Sequence, residues 1–182
     1  APVAGGWQVA AMTDVFVISK APRAFDPDLA QDFLAQPQGV DRHKAEFLAA
    51  IVGTSPYLSG LIQKEYNWLT TALDAPQAAF QDLLSAVQSY APDELRSGLR
   101  EAKRRVALIA ALCDLAGCWS LEQVTTALTK FAQSAVDVAL KAEIEKLLRR
   151  GQLPGVTEAS GATAAGASVC GMGQTGGKEP HE

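Results

Sequence analysis

One stripe of small and apolar residues between residues 95 and 116 constrains the fold of this chain more than any other feature. The stripe advances by alternating steps of four and three, the spacing of one helix face, through Leu95, Leu99, Ala102, Val106, Ile109 and Cys113. The second half of the stretch is almost wholly apolar. A helix that begins charged and ends apolar all round lies half at the surface and half in a core. The stretch therefore predicts the central helix of an all-α domain.

The same stretch carries the densest positive cluster of the sequence, formed by Arg96, Arg100, Lys103, Arg104 and Arg105. Guanidinium groups bind phosphates and carboxylates, so the cluster could face a phosphate or an acidic partner. Arg100, Arg104 and Arg105 are the candidates for that role. The alternative is a solvated or salt-bridged face, because Asp93, Glu94 and Glu101 lie within i,i+3 and i,i+4 reach on the same helix.

Start signals divide residues 41–150 into consecutive helices, with predicted starts at Asp41, Ser55-Pro56, Asp74-Pro76, Pro92 and Ser120. The second of these helices is expected to break near Asn67. The last start is the clearest, because Ser120 and Gln123 form a capping box before an apolar pattern that runs for about 30 residues. The connection before it is short, so we expect antiparallel packing. The fold class is therefore mainly all-α, an antiparallel helical bundle.

Composition divides the chain into four parts. Residues 1–40 are broken by prolines and predict an irregular lead-in with one helix near Asp28–Leu34. Residues 41–150 form the helical domain, and residues 151–166, rich in Gly, Ala and Thr, predict a flexible linker. Residues 167–182 hold a strand-like run followed by a glycine turn.

Charge, hydropathy and cysteine content narrow the classes of function that the sequence allows. A net charge of −4 and a pI near 5.2 argue against a general nucleic-acid binder. The longest apolar run, Val106–Leu112, is too short to span a membrane. Cys113, Cys118 and Cys170 have no metal-site spacing, so no metal ligands are predicted, and a reducing cytoplasm is expected. The N-terminus has no signal-peptide pattern and no initial Met, which suggests processing or a fragment.

The glycines at the end of the sequence are the first functional clue. Gly171, Gly173 and Gly176 spell G-x-G-x-x-G after a short strand-like run. Such glycines let backbone N–H groups approach a phosphate. A dinucleotide-binding unit also needs a following helix, a second strand and a later acidic residue, which do not follow here. A flexible glycine-rich tail is the alternative.

Three stretches in this order carry a resemblance: Phe47–Ile62, Leu99–Ala132 and Val169–Glu179. Together they resemble the bacterial glutamine synthetase adenylyltransferase family, whose members also remove the adenylyl group. The first resembles an early helical segment of the family and the second its arginine-rich helix with the helix that follows. The third resembles the opening of a nucleotidyltransferase signature.

The resemblance implies a polymerase-β-like nucleotidyltransferase domain that begins at residue 167 and binds ATP and Mg²⁺. It implies nucleotide binding by Gly171, Gly173, Gly176 and Gly177, glutamine synthetase as the protein substrate, and a regulatory PII-type partner. The sequence departs from the family signature at Gln174, where Lys is usual, and at residues 180–182, where Leu-Asn should lead to two metal-binding aspartates. We therefore expect the chain alone to be inactive. Membrane and nucleic-acid partners are not expected.

Two other functions remain open from the sequence. One is a non-catalytic helical interaction domain with a disordered glycine-rich tail. The other, a nicotinamide-binding oxidoreductase, rests on the glycine pattern alone and is the weakest.

Overall fold

A computed structural model describes residues 15–152, and within this part the chain forms six α-helices and no β-strand. The helices are α1 (Pro27–Leu34), α2 (Arg42–Val52), α3 (Pro56–Ala72), α4 (Pro76–Ser89), α5 (Leu95–Ala116) and α6 (Leu121–Arg149). The all-α prediction is confirmed, including the helix within the lead-in. The predicted strand and glycine turn, and nearly all of the predicted linker, lie outside the described residues.

Side-chain caps explain why several helices begin where the sequence predicts. Asp41 accepts a hydrogen bond from the Lys44 amide at 3.0 Å, and Ser55 caps α3 in the same way. Ser120 and Gln123 complete a capping box: each side chain binds the backbone N–H of the other, at 3.2 and 2.7 Å. These bonds satisfy amides that have no partner inside the helix.

Three details of the predicted helix boundaries differ from the structure. The break predicted near Asn67 corresponds to a kink at Glu65, where φ and ψ are not helical, but α3 does not end there: it continues to Ala72, because Leu69 and Ala72 continue its buried face. α4 begins at Pro76, as the Asp74-Pro76 signal predicts, but it has no side-chain cap: Asp74 instead accepts a hydrogen bond from Lys44 at 2.8 Å. The start at Pro92 is also displaced, since residues 92–94 form a turn and α5 begins at Leu95.

The core confirms the central position of α5. Its predicted stripe is buried except for Leu99, which packs against the core at its edge. In the second half of the helix, Leu108 and Leu112 lie outside the predicted stripe, on other faces of α5, and are also fully buried. α5 packs against α3, α4 and α6, most extensively against α6. Its apolar half is therefore mostly buried, as the sequence predicts, with Leu115 as the exposed exception.

α6 runs antiparallel to α5, because Leu95 at the start of α5 lines the same groove as Lys141 in the second half of α6. The apolar residues of α6 do not all face the core, although their spacing by three and four predicts a single inward stripe from Leu121 through Val124, Leu128 and Phe131. Leu121 and Leu128 are 74% and 42% exposed, whereas the buried positions include Val124, Ala127 and Phe131. The face that α6 presents to the core is thus rotated away from two of its leucines.

Residues 15–20, which we call the N-terminal strap, cross the end of α5. Phe16 is buried and meets Phe47 edge-on, with ring centroids 5.7 Å apart. The backbone amides of Ser19 and Lys20 and the Ser19 hydroxyl all donate to the Ala116 carbonyl, at 2.8, 3.1 and 2.8 Å. The strap therefore satisfies a carbonyl that the end of the helix leaves without an intrahelical partner.

Candidate functional site

The basic cluster of α5 divides into an exposed and an inward part. Arg96, Arg100 and Lys103 are exposed. The Arg104 and Arg105 side chains are only 30% and 26% exposed and turn toward α3. Two of the three arginines predicted to face a phosphate or a partner are thus engaged inside the bundle, and Arg100 is the candidate that remains at the surface.

Glu65 of α3 is the partner of the two inward arginines, and it is the one buried charged residue of the part that the structure describes. Arg104 Nε donates to Oε1 at 2.7 Å and Arg105 Nε to Oε2 at 2.9 Å. Arg105 also pairs with Glu101 at 2.6 Å, and its guanidinium lies 5.2 Å from the centre of the Trp68 ring. We call these five residues the Glu65 cluster.

The electrostatics of the Glu65 cluster keep its carboxylate charged. Burial raises the pKa of Glu65, but the hydrogen bonds and charges of Arg104 and Arg105 outweigh it, so the pKa lies below its usual value. Glu65 also marks a kink in α3, with φ −108° and ψ 17°. Because the two carboxylates Glu65 and Glu101 balance the charges of Arg104 and Arg105, the cluster joins α3 to α5 rather than offering a phosphate site.

Sequence reasoning missed Glu65, although the pattern contained a signal. Leu58, Leu61, Leu69 and Ala72 of α3 are buried, and Glu65 occupies the position between them in the same helical register. A charged residue at a core position requires a partner when it is buried. Two adjacent arginines on a helix that was itself predicted to be central are suitable partners.

A groove of about 630 Å³ lies between the end of α4, the start of α5 and the middle of α6. Its charged residues are Lys130, Asp137, Lys141 and Glu145. Two positive and two negative side chains give it no preference for an anion. The groove is therefore no substitute for a phosphate site.

The glycines predicted to bind the nucleotide, Gly171, Gly173, Gly176 and Gly177, lie outside the described residues, and their role remains a prediction. Within residues 15–152, no group of three His, Cys, Asp or Glu side chains is placed to hold a metal ion. The sequence contains one Asp-x-Asp, formed by Asp26 and Asp28. Asp26 caps α1 by accepting from two backbone amides. This pair is therefore engaged in capping and does not match the metal-binding aspartates that the resemblance implies.

Residues 15–152 include no helix that qualifies as a membrane-spanning segment.

Comparison with known proteins identifies the class of protein to which this helical bundle belongs. The sequence profile of the glutamate-ammonia ligase adenylyltransferases matches residues 45–180, a span that includes most of the bundle and the glycine segment. The chain belongs to this family. No solved structure matches it.

Curated relatives agree with the family match. A bifunctional glutamine synthetase adenylyltransferase/adenylyl-removing enzyme from Caulobacter vibrioides is 36% identical over 71% of this chain and 14% of its own length. An enzyme of the same name from Rhodopseudomonas palustris is 32% identical over 87% of this chain and 18% of its own length. The chain thus spans less than a fifth of the curated relatives that it matches.

Proposed function

We propose that this chain is part of an enzyme that adenylylates and deadenylylates glutamine synthetase. The enzyme transfers AMP from ATP to a tyrosine of glutamine synthetase and removes it by phosphorolysis, which regulates nitrogen assimilation in the cytoplasm. The family match carries this proposal, because one continuous match joins the bundle to the glycine segment. A nicotinamide-dependent oxidoreductase gains no support, since its only basis, the glycine pattern, falls inside that match.

In this proposal the helical bundle supports a nucleotidyltransferase domain that begins near residue 167. Backbone N–H groups around Gly171, Gly173, Gly176 and Gly177 approach the phosphates of ATP, since glycines leave room for an anion. The described residues do not fit Mg²⁺, and the sequence has no Ser-Asp-x-Asp after the glycines. We therefore assign no metal-dependent step to this chain and propose that it is inactive by itself.

The rigid structure around Glu65 supports a scaffolding role for the bundle. Glu65 bonds to Arg104 and Arg105 over 39 and 40 residues of sequence, and so fixes α3 against α5. Arg100 lies one helical turn before Arg104, is exposed, and has no ion pair among the described residues. We propose that Arg100 faces glutamine synthetase or the regulatory PII-type protein.

Binding of purified glutamine synthetase to the immobilised chain tests the partner role. Arg100→Ala removes an exposed charge and places no carboxylate within i,i+4 reach of Arg104, so it leaves the Glu65 cluster intact, and we expect it to weaken binding at least several-fold at low salt. Arg42→Ala is the matched control, because Arg42 is 92% exposed on α2, outside the basic cluster. Equal binding by wild type and both variants would remove Arg100 from the interface. Lack of binding by the wild-type chain would contradict the partner role of the bundle.

A further inference from the structure

The end of α5 brings two cysteines together through its backbone. Gly117 has φ +73°, the Cys118 amide donates to the Cys113 carbonyl at 3.0 Å, and the Gly117 amide donates to the Asp114 carbonyl at 3.0 Å. This is the Schellman arrangement, in which the side chains of the two outer residues come into contact. Here these outer residues are Cys113 and Cys118, and both are free thiols.

The two thiols have different surroundings. Cys113 is fully buried in the core, whereas Cys118 is half-buried. Cys118 Sγ lies 3.5 Å from the Cys113 carbonyl oxygen. The N-terminal strap passes beside this corner, where Ser19 and Lys20 bind Ala116. Because Cys118 is only half-buried, its thiol is open to a small reagent, whereas Cys113 lies behind it in the core.

Hydrogen bonding gives the two thiols different reactivity. The bond to the Cys113 thiol lowers the pKa of Cys118; burial raises it, and backbone N–H groups, including that of Val17, lower it further. The same bond and burial raise the pKa of Cys113. The thiolate is the nucleophilic form of cysteine, so Cys118 is the thiol that reacts first.

We propose that Cys113 and Cys118 form an oxidation site at which a hydroperoxide, such as hydrogen peroxide, converts the two thiols into an intramolecular disulfide. The Cys118 sulfur attacks one peroxide oxygen, the O–O bond breaks, and water leaves, which gives a sulfenic acid. The Cys113 sulfur then attacks the Cys118 sulfur. The S–O bond breaks and a second water leaves. Overall, two thiols are oxidised by two electrons, and one peroxide is reduced to two waters.

The backbone of the turn is suited to this product. A disulfide requires Cα atoms at close range, and the hydrogen bond between the Cys118 amide and the Cys113 carbonyl holds the two residues there. The disulfide therefore forms at the corner where the strap binds the Ala116 carbonyl at the end of α5.

Peptide mapping of the folded chain after hydrogen peroxide treatment and alkylation of free thiols tests the site. Trypsin releases Val106–Lys130 with both cysteines and Gly151–Lys178 with Cys170, so an internal bridge is distinguished from any bridge to Cys170. We expect Val106–Lys130 to lose two hydrogens and to take no alkyl group. Alkylation of both cysteines, further oxidation of Cys118 without a bridge, or a bridge to Cys170 would overturn the proposal.

Cys113→Ala separates the first step from the second. Without the resolving thiol, the sulfenic acid at Cys118 persists and reacts with dimedone, whereas a Cys118→Ser chain gains no adduct in the same peptide. Adduct formation at Cys113 in the Cys118→Ser chain would reverse the assigned order. Mapping of the wild-type chain decides the proposal even where Cys113→Ala prevents folding, because it needs no substitution.

Discussion

At the kink of α3, the two oxygens of Glu65 meet two arginines that are adjacent in the sequence of α5. A buried carboxylate is costly unless it is paired and fully hydrogen-bonded. Here both oxygens are bonded, while each arginine keeps about a quarter of its side chain exposed to water. The cluster therefore tolerates its charges and fixes two helices at one point.

Glu65→Gln should destabilise the fold by about 2 kcal/mol at neutral pH, because the neutral amide weakens two charge-assisted hydrogen bonds and leaves Arg104 without an ionic partner, whereas Arg105 keeps Glu101. Urea unfolding measures the change. Glu46→Gln is the control: it breaks an exposed pair with Arg42 and should cost less than about 0.5 kcal/mol. Equal losses in the two variants would show that Glu65 has no special role.

The difference in free energy of unfolding between wild type and Glu65→Gln should depend on pH in a definite direction. The pKa of Glu65 is lowered in the folded state, so its stabilisation is present above the unfolded pKa of about 4.3 and is lost as pH falls through the folded pKa. The difference in free energy of unfolding between wild type and Glu65→Gln should stay constant from neutral pH to about pH 5 and shrink below about pH 4. A gap that is independent of pH down to acid unfolding would contradict the ion pairs.

Two helical glycines have opposite surroundings and form a matched pair. A Cβ at Gly98 would lie 2.6 Å from ring atoms of Tyr90, whereas a Cβ at Gly60 would meet nothing within 4 Å. Alanine favours a helix over glycine by about 1 kcal/mol. We expect Gly60→Ala to raise the free energy of unfolding by up to about 1 kcal/mol and Gly98→Ala to lower it by about the same amount.

The steric origin of the Gly98 effect is tested in a Tyr90→Ala background. There the ring is gone, so Gly98→Ala should become neutral or stabilising. A loss that persists without the ring would rule out Tyr90 as its cause.

At the scale of whole elements, predictions succeeded where the determinants are local and failed where a partner is distant in sequence. Asp41, Ser55 and Ser120 each bind the backbone amide three residues further on, so their helices start where the sequence predicts. The α3 extension past Asn67 depends on burial against the rest of the bundle. Glu65 was missed for the same reason: its arginines are about 40 residues away.

The contact between Gly117 at the end of α5 and the N-terminal strap can be tested by substitution. Gly117 has φ +73°, and a Cβ there would lie 2.6 Å from Ser19 Oγ; Gly151 has φ +66° and open space. Gly151→Ala should lower the free energy of unfolding by about 1 kcal/mol, because alanine disfavours the left-handed backbone conformation. Gly117→Ala should cost clearly more, about 2 to 3 kcal/mol, because the strap must also move.

Trypsin cleavage after Lys20 reports on the strap itself. It should accelerate in Gly117→Ala and stay unchanged in Gly151→Ala. Equal unfolding costs and equal cleavage in both variants would mean that the Ser19 contact adds nothing.

At the scale of the whole molecule, the chain contains a helical bundle and belongs to a family whose curated members are several times longer than this chain. The class of the bundle and the family were both predictable from the sequence. The site was harder to predict from the sequence. Two of its three arginines have a partner inside the bundle, and its glycines lie outside the described residues, so their role stays a prediction. The proposal therefore places catalysis in parts of the enzyme beyond the bundle.

The most direct test of this account is AMP transfer by the purified 182-residue chain, with glutamine synthetase, Mg²⁺ and ATP labelled at the α-phosphate. Phosphorolysis of adenylylated glutamine synthetase is followed in parallel, and a full-length family member serves as the positive control. The account predicts no label on glutamine synthetase and no AMP removal by the chain alone. Label transfer that depends on the chain would show that its own residues suffice for catalysis and would contradict the account.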